Sequence, residues 1–296
     1  MKIIVLGSNG QLGTELKNSL EGKYNAIFFS SKDLDITNFS FLERIIDQEK
    51  PDILINAAAY TAVDKAEINK IRAFKVNDEA VNIIARRIKL LNSYLIHYST
   101  DYVFDGNKKE KYNEDDLTNP LSIYGKSKLA GENKIVNTGC KHFIFRTSWV
   151  CGENGKNFIK TIKNLSENKK LINVVNDQFG VPTSTNLICK VTKYLIRDIY
   201  NNNSWNSGIY NLVPNGETNW YEMAILISKI AISEFNNENF KNLSIKKVSS
   251  KEYKTAATRP MNSLLSNKKL QSKLNFTLSG WEEDFIPLVR KIFEEL

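Results

Sequence analysis

Residues 2–13, KIIVLGSNGQLG, run a short apolar stretch into three glycines, Gly7, Gly10 and Gly13, and then into a segment with Leu12, Leu16 and Leu20 at helical spacing. A strand entering a glycine turn and leaving as a helix narrows the choice of fold sharply. Glycine permits the tight turn, lets backbone N–H groups approach a pyrophosphate, and allows the helix to pack closely on the strand. Three glycines in seven residues could form a plain turn. The strand before and the helix after point instead to nucleotide binding.

The segments that follow keep the same rhythm. Strands are expected at 2–7, 26–30, 52–59, 93–99 and 142–148, separated by helices at 11–20, 38–50, 71–90 and 122–137. The strands read as unbroken apolar runs, as a sheet covered on both faces requires. The class is therefore α/β, with a Rossmann-type doubly wound parallel sheet and right-handed crossovers. Beyond residue 150 the pattern loosens into helices near 155–167, 184–199, 218–235 and 279–295, with strands at 171–175 and 209–213. The stretches 201–208 and 236–242 read as a polar turn and an exposed loop. We expect an NAD(P)-binding domain over 1–150 and a smaller C-terminal α/β substrate-binding lobe over 151–296, the two sharing strands.

The chain has 296 residues and a formal charge of +8, but its lysines are interleaved with acids along the whole length. No dense basic tract marks a nucleic-acid partner. No stretch approaches the roughly twenty apolar residues of a membrane span. Cys140, Cys151 and Cys189 form no CxxC or Cys/His spacing, and the two histidines, His97 and His142, leave little for metal or triad chemistry. No metal site, a reducing compartment and a cytoplasmic location are the expectations.

Two clusters carry chemistry. The end of the second strand, FFSSKDLDI, places Ser30, Ser31 and Lys32 in the turn before Asp33 and Asp35. An acid at that tip would bind a ribose diol and a base would tolerate a 2′-phosphate, so its absence leans towards NADPH and leaves NADH open. Further on, HYSTDYVFDG ends a strand in Ser99, Thr100 and Asp101, and PLSIYGKSKLAGE puts Tyr124 and Lys128 on one face of a helix. Reducing a ketone builds alkoxide charge, which needs a proton donor. A phenol with pKa near 10 is too weak an acid for easy cycling, and an ammonium beside it lowers that value. Thr100 could hold the carbonyl in line.

A hydroxyl, a Tyr-x-x-x-Lys helix and an N-terminal glycine loop resemble the short-chain dehydrogenase/reductases, towards which the G-x-x-G-x-x-G spacing also leans. AAAYTAVDKAE, HYSTDYVFDG, PLSIYGKSKLAGE, FRTSWVCGENGKNF, NDQFGVPT and RPMNSLL, in this order, resemble the dTDP-4-dehydrorhamnose reductase family over essentially the whole chain. The resemblance implies reduction of the C4 ketone of dTDP-6-deoxy-L-lyxo-4-hexulose to dTDP-β-L-rhamnose with NADPH or NADH. It makes Tyr124 the proton donor and Lys128 the ribose partner. It puts Gly10, Gln11 and Leu12 at the pyrophosphate, Asp35 and Ile36 near the adenine, and Ala59, Tyr60, Thr61 and Tyr98 beside the cofactor. Thr100, Asp101 and Trp149 fall to the sugar, and the resemblance favours the substrate side for Asn176, Asp177, Gln178 and Arg259, which a compact loop and a cap could otherwise explain.

Some members carry Mg2+ at a homodimer contact through glutamates. Glu15 is available here, but Asn186 stands where one such acid is expected, which puts a metal-linked dimer in doubt and leaves Mg2+ and a homodimer as open expectations. Cys151 also replaces a frequent aromatic. Two other readings share the same machinery: a reductase giving another 6-deoxyhexose such as 6-deoxytalose, and a regulatory subunit resembling the β-subunit of methionine adenosyltransferase. The intact Thr100, Tyr124 and Lys128 argue against the latter.

Overall fold

The computed structural model describes residues 1–201 and 205–294. Six strands form a wholly parallel sheet: β1 (Lys2–Leu6), β2 (Asn25–Phe29), β3 (Ile53–Asn56), β4 (Tyr94–Thr100), β5 (Lys141–Thr147) and β6 (Gly208–Asn211). Their spatial order is β6-β5-β4-β3-β1-β2. The chain steps outward from β1 to β2, then returns to build β3 to β6 on the other side. The reversal between β1 and β3 is where open α/β sheets bind ligands, beyond the strand carboxyl ends.

Alternate side chains of each strand enter opposite layers, as the strand repeat demands. Ile3, Val5, Ile53 and Ile55 pack with Leu16 and Leu20 of α1 (Gln11–Leu20) and Ile188, Val191 and Leu195 of a later helix, Thr185–Tyr200. Ile4, Leu6 and Leu54 pack instead with α2 (Phe39–Glu49) and with α3, which covers 70–90. α3 joins Lys70–Phe74 to Ala80–Leu90 through a π-helical turn, Lys75–Glu79. Each such fully buried aliphatic side chain contributes about 1.5–3 kcal/mol of transfer free energy.

α4 (Ile123–Thr138) begins where the Ser122 hydroxyl accepts from Gly125 N and ends at Gly139, φ +63°. It is fixed to β5 by a buried fork: Arg146 donates through Nε and Nη2 to Glu132, the shortest contact being 2.7 Å. The second half supplies α5 (Phe158–Asn168), α6 (Thr185–Tyr200), α7 (Trp220–Phe235) and α8 (Trp281–Glu294). Ile159, Ile162, Met223, Ile227, Phe285 and Phe293 form the core there. β6 also comes from this half, and Asn211 N donates to Glu114 Oε1 to hold it.

The structure departs from the sequence expectations in places. β3 stops at Asn56: Ala57 N still donates to Leu6 O, but Ala58 and Ala59 turn off the ladder, and all three wall a crevice. The expected loop 236–242 contains a helical turn, Glu238–Lys241, whose Phe240 is buried in the second core. A strand nobody would read from its polar alternation, Ser244–Val248, pairs in parallel with Leu171–Val175. Within the polar turn 201–208, residues 202–204 lie outside the described residues, as does position 295 of the last expected helix.

Candidate active site

Gly7 adopts φ +80°, and a Cβ there would fall 2.7 Å from Ala58 N; one on Gly13 would fall 2.0 Å from Gly7 O. Only glycine lets loop, helix and β3 backbone meet this closely. α1 starts at Gly10 with no side-chain cap. Its first-turn amides therefore have no intrahelical partner and present the usual anion-binding end. The crevice beside them has a volume of about 380 Å³, and Gly7, Gly10, Asp35, Ile36, Ala59 and Tyr60 line it as expected.

Other expected cofactor residues are placed differently. Gln11 turns its side chain away to bridge Val150 O, Gly152 N and Asn157 Nδ2. Leu12 packs against the core beneath α1. Ser30 folds its hydroxyl onto Asp33 at 2.6 Å, and it is Ser31 that lines the crevice. Thr61 is exposed and outside the crevice wall. Tyr98 buries its ring, with its hydroxyl 2.8 Å from Thr192 Oγ1, and offers the site only its carbonyl. The sequence reading missed Arg72, which reaches the crevice from α3 and donates to Asp35 Oδ2 at 3.2 Å. Partial burial opposes the Asp35 charge, but hydrogen bonds from Thr37 and Arg72 outweigh it and hold the carboxyl below its ordinary value.

At the carboxyl end of β4, Thr100 Oγ1 donates to Asp101 Oδ1 at 2.9 Å and lies within hydrogen-bonding reach of the Tyr124 phenol. Tyr102 meets the Tyr124 ring edge-on at 5.8 Å. Lys128, one turn later on α4, is 1 % exposed, and its Nζ donates to Tyr98 O at 2.7 Å with His97 Nε2 at 3.2 Å. The expected lowering of the phenol is not what the structure shows. Burial pushes Tyr124 up to about 12, Thr100 opposing this and the Asp101 charge adding to it. Burial likewise brings Lys128 down to about 8, and its Nζ is engaged by Tyr98 O and His97. His97 and Asn56, which complete this buried cluster, carried no motif that would single them out.

A larger cavity, about 700 Å³, opens between the two halves of the chain and is lined by Leu121, Phe158, Gln178, Trp220, Lys254 and Arg259 among others. Asp177 serves the loop instead, accepting from Ser250 N and Oγ. Arg259 donates through both terminal nitrogens to Asp64, at 3.1 and 2.7 Å. Trp149 sits in a left-handed conformation, φ +46°, stacked on Trp220 at 3.8 Å and so close to Gly180 that a Cβ there would fall 2.5 Å from its ring. Such a backbone costs roughly 1–3 kcal/mol and persists where packing over-determines it.

A family model described as "RmlD substrate binding domain" matches residues 1–293. dTDP-4-dehydrorhamnose reductase of Aggregatibacter actinomycetemcomitans is 38% identical over 95% of this chain and 96% of its own. The chain belongs to the dTDP-4-dehydrorhamnose reductase family. The Escherichia coli K12 reductase is also 38% identical, over 99% of this chain and 98% of its own. Among solved structures, the Bacillus anthracis reductase in complex with NADP superposes with a TM-score of 0.88 at 34% identity, covering 100% of this chain and 99% of that one.

Two departures expected for this member of the reductase family now have surroundings. Cys151 is buried, its thiol pushed up to about 12 by burial and by the charge of Asp284, and its Sγ donates to Thr183 O. Asn186 faces Asp284, which also accepts from Ser184 at 2.7 Å. Among the described residues no group of three or more His, Cys, Asp or Glu could hold a metal ion, and no helix is long and apolar enough to cross a membrane.

Proposed function

We propose that this chain reduces the C4 ketone of dTDP-4-dehydro-β-L-rhamnose to dTDP-β-L-rhamnose with a nicotinamide cofactor. The observation that carries the reading is the meeting of Thr100 and Tyr124 at the end of β4, one helical turn from a buried lysine. The glycine cradle suits a pyrophosphate, since Gly7 and Gly13 let the loop, α1 and the backbone at Ala58 close together and set the free amides of α1 beside the crevice. Gly7, Gly10, Asp35, Ile36, Ala59 and Tyr60 would hold the dinucleotide, whose reduced ring supplies the hydride that reaches C4.

This chain's own residues do the rest. Thr100 turns its hydroxyl proton from Asp101 Oδ1 to the C4 carbonyl and holds it in line. Tyr124 gives its proton to the oxygen as alkoxide charge develops, and the phenolate regains one from solvent. Overall, ketone, reduced cofactor and one proton become alcohol and oxidised cofactor. Lys128 holds the ribose and, when charged, stabilises the phenolate. The first 150 residues thus carry the cofactor, and the remainder, through the larger cavity with Trp149 at its back, carries the dTDP-sugar. Arg72 and Ser31 at the crevice mouth support NADPH as the preferred carrier. Three unpaired buried cysteines support a reducing, cytoplasmic setting.

Purified protein with NADPH and the dTDP-4-keto sugar tests this directly. Nicotinamide absorbance should fall in a substrate-dependent way, and NMR of the product should show the rhamno configuration at C4. A talo product would overturn the assignment of the sugar. Tyr124→Phe should bind NADPH normally and lose about 10²–10⁴-fold in kcat; unchanged turnover would remove Tyr124 from the mechanism.

A further inference from the structure

Lys128 is the last member of a buried chain of polar groups that begins at the glycine loop. Ala58 N donates to Asn56 Oδ1 at 3.1 Å, which orients the amide so that Nδ2 donates to His97 Nδ1, also at 3.1 Å. With Nδ1 accepting, the proton of a neutral imidazole resides on Nε2, 3.2 Å from Lys128 Nζ. An ammonium has no lone pair with which to accept it. This arrangement therefore suits a neutral Lys128 that accepts from His97 and donates to Tyr98 O. Asn56, His97 and Lys128 are each at most 1 % exposed, so water does not relieve the conflict.

The titratable groups that act on Lys128 are Glu132 on α4 and His97 on β4, with Arg146 of β5 bonded to Glu132 and Tyr124 one turn earlier on α4. Glu132 favours the ammonium, but its carboxylate is already forked by Arg146. Burial holds His97 well below the usual imidazole value, so it stays neutral, and the same burial disfavours charge on Lys128. A charged Lys128 needs the converse set of bonds. His97 Nε2 must accept, Nδ1–H must donate to Asn56 Oδ1, and the amide must turn over, releasing Ala58 N–H. That backbone lies directly against Gly7, in the crevice wall.

We propose that Asn56 and His97 are positioning residues forming a two-state hydrogen-bond chain, through which occupation of the crevice at Ala58 turns the Asn56 amide and admits a proton to Lys128. The proposal rests on the reading of the crevice as the nicotinamide-cofactor site. In the switch one solvent proton adds to Nζ. The imidazole is neutral in both states and only exchanges the nitrogen that bears its proton. The ammonium so formed lies one turn from Tyr124 and lowers a phenol that burial and Asp101 otherwise hold high. Cofactor binding would thereby charge the lysine at the moment the proton donor is needed.

Nitrogen NMR of protein labelled with 15N-histidine reads the switch, because the chain has only two histidines. His142 is an internal reference: its Nδ1 donates to Cys140 O at 2.8 Å. At pH 9, above the value of about 8 to which burial brings Lys128, the protein alone should show His97 protonated on Nε2, and saturating NADPH should move that proton to Nδ1 while His142 stays put. The same His97 tautomer in both samples would overturn the switch alone. A failure of NADPH to bind would overturn the switch and the cofactor reading together. In Asn56→Asp the carboxylate accepts from both Ala58 N–H and His97 Nδ1–H. That variant should show the Nδ1-protonated form without NADPH, and the alkaline limb of NADPH affinity should move up by about one pH unit, a gain in Kd of about twofold at the wild-type midpoint that approaches tenfold about two units above it. A merely structural Asn56 would lower Tm and leave tautomer and limb where they are, which would refute the proposal.

Discussion

Asp101 is buried at the end of β4 with the hydroxyls of Thr100 and Ser263 against it, and burial pushes its carboxyl up to about 6 despite those hydrogen bonds. A carboxyl raised above its ordinary 3.8 in the folded state binds protons more readily there than when unfolded. Its contribution to stability is best at low pH, declines as pH rises towards 6, and is fully unfavourable above that. Asp101→Asn should therefore stabilise the protein near pH 7.5 by on the order of 2–3 kcal/mol, a gain that fades by pH 4, while kcat falls. Thermal melts at both pH values check this; an equal gain at each would show that the charge is not the cause. The crevice mouth gives a second test at this scale. Arg72, already paired with Asp35, is the one cation in the crevice wall as described. Arg72→Ala should raise KM for NADPH about tenfold and leave KM for NADH nearly unchanged. Equal effects on the two cofactors would separate Arg72 from the 2′-phosphate.

The π turn in α3 does for the helices what the glycine loop does for the strands. It places Asn77 inside the protein, where Oδ1 accepts from Tyr60 N at 2.9 Å and Nδ2 donates to Tyr60 O and to Ser127 Oγ. Ser127 lies between Tyr124 and Lys128, so one side chain ties the cofactor crevice to the proton-donor helix. Such turns recur at functional sites, where the local change in helical register redirects a side chain. Gly131 of α4 completes the approach, since a Cβ there would fall 2.1 Å from Asn77 O. Asn77→Ala should cost about 1–3 kcal/mol through the buried groups it leaves unpaired, and should raise KM for NADPH; denaturant melts and cofactor titration would show both. None of this is visible along the chain. Gly7, Gly10 and Gly13, or Tyr124 and Lys128, announce themselves because their partners are within a turn or a loop in sequence. Asn77 and Ser127 are fifty residues apart, Asn56 and His97 are forty-one apart, and each is an ordinary polar residue until the sheet and helices bring it to its partner. Trp220 was missed for the same reason: it meets Trp149 only after α7 packs.

Across the whole molecule, two contacts clasp the halves over the site. Gln11 bridges the glycine loop to the 150–157 segment, and Arg259 reaches Asp64 beside the crevice. Hydrogen bonds from Arg259 depress the Asp64 carboxyl below its ordinary value. This contribution is present at neutral pH and lost as pH falls through that lowered value, and the exposure of Asp64 keeps it small. Arg259 also lines the larger cavity, where its guanidinium suits a diphosphate. Arg259→Ala should raise KM for the dTDP-sugar at least tenfold with kcat little changed, whereas a loss confined to kcat would place it outside substrate binding. β6 joins the two halves in a further way. It starts 61 residues after β5 ends, yet it is the strand that covers the apolar edge of β5, where Phe143 and Phe145 lie. During synthesis, β5 and its neighbours are complete while β6 is still unmade, and at about 5–20 residues per second the gap lasts about 3–12 s. For that interval the nascent sheet offers an unpaired, aromatic-rich edge, so the ribosome-bound chain has a defined window in which chaperone capture and mispairing compete with the arrival of its own last strand.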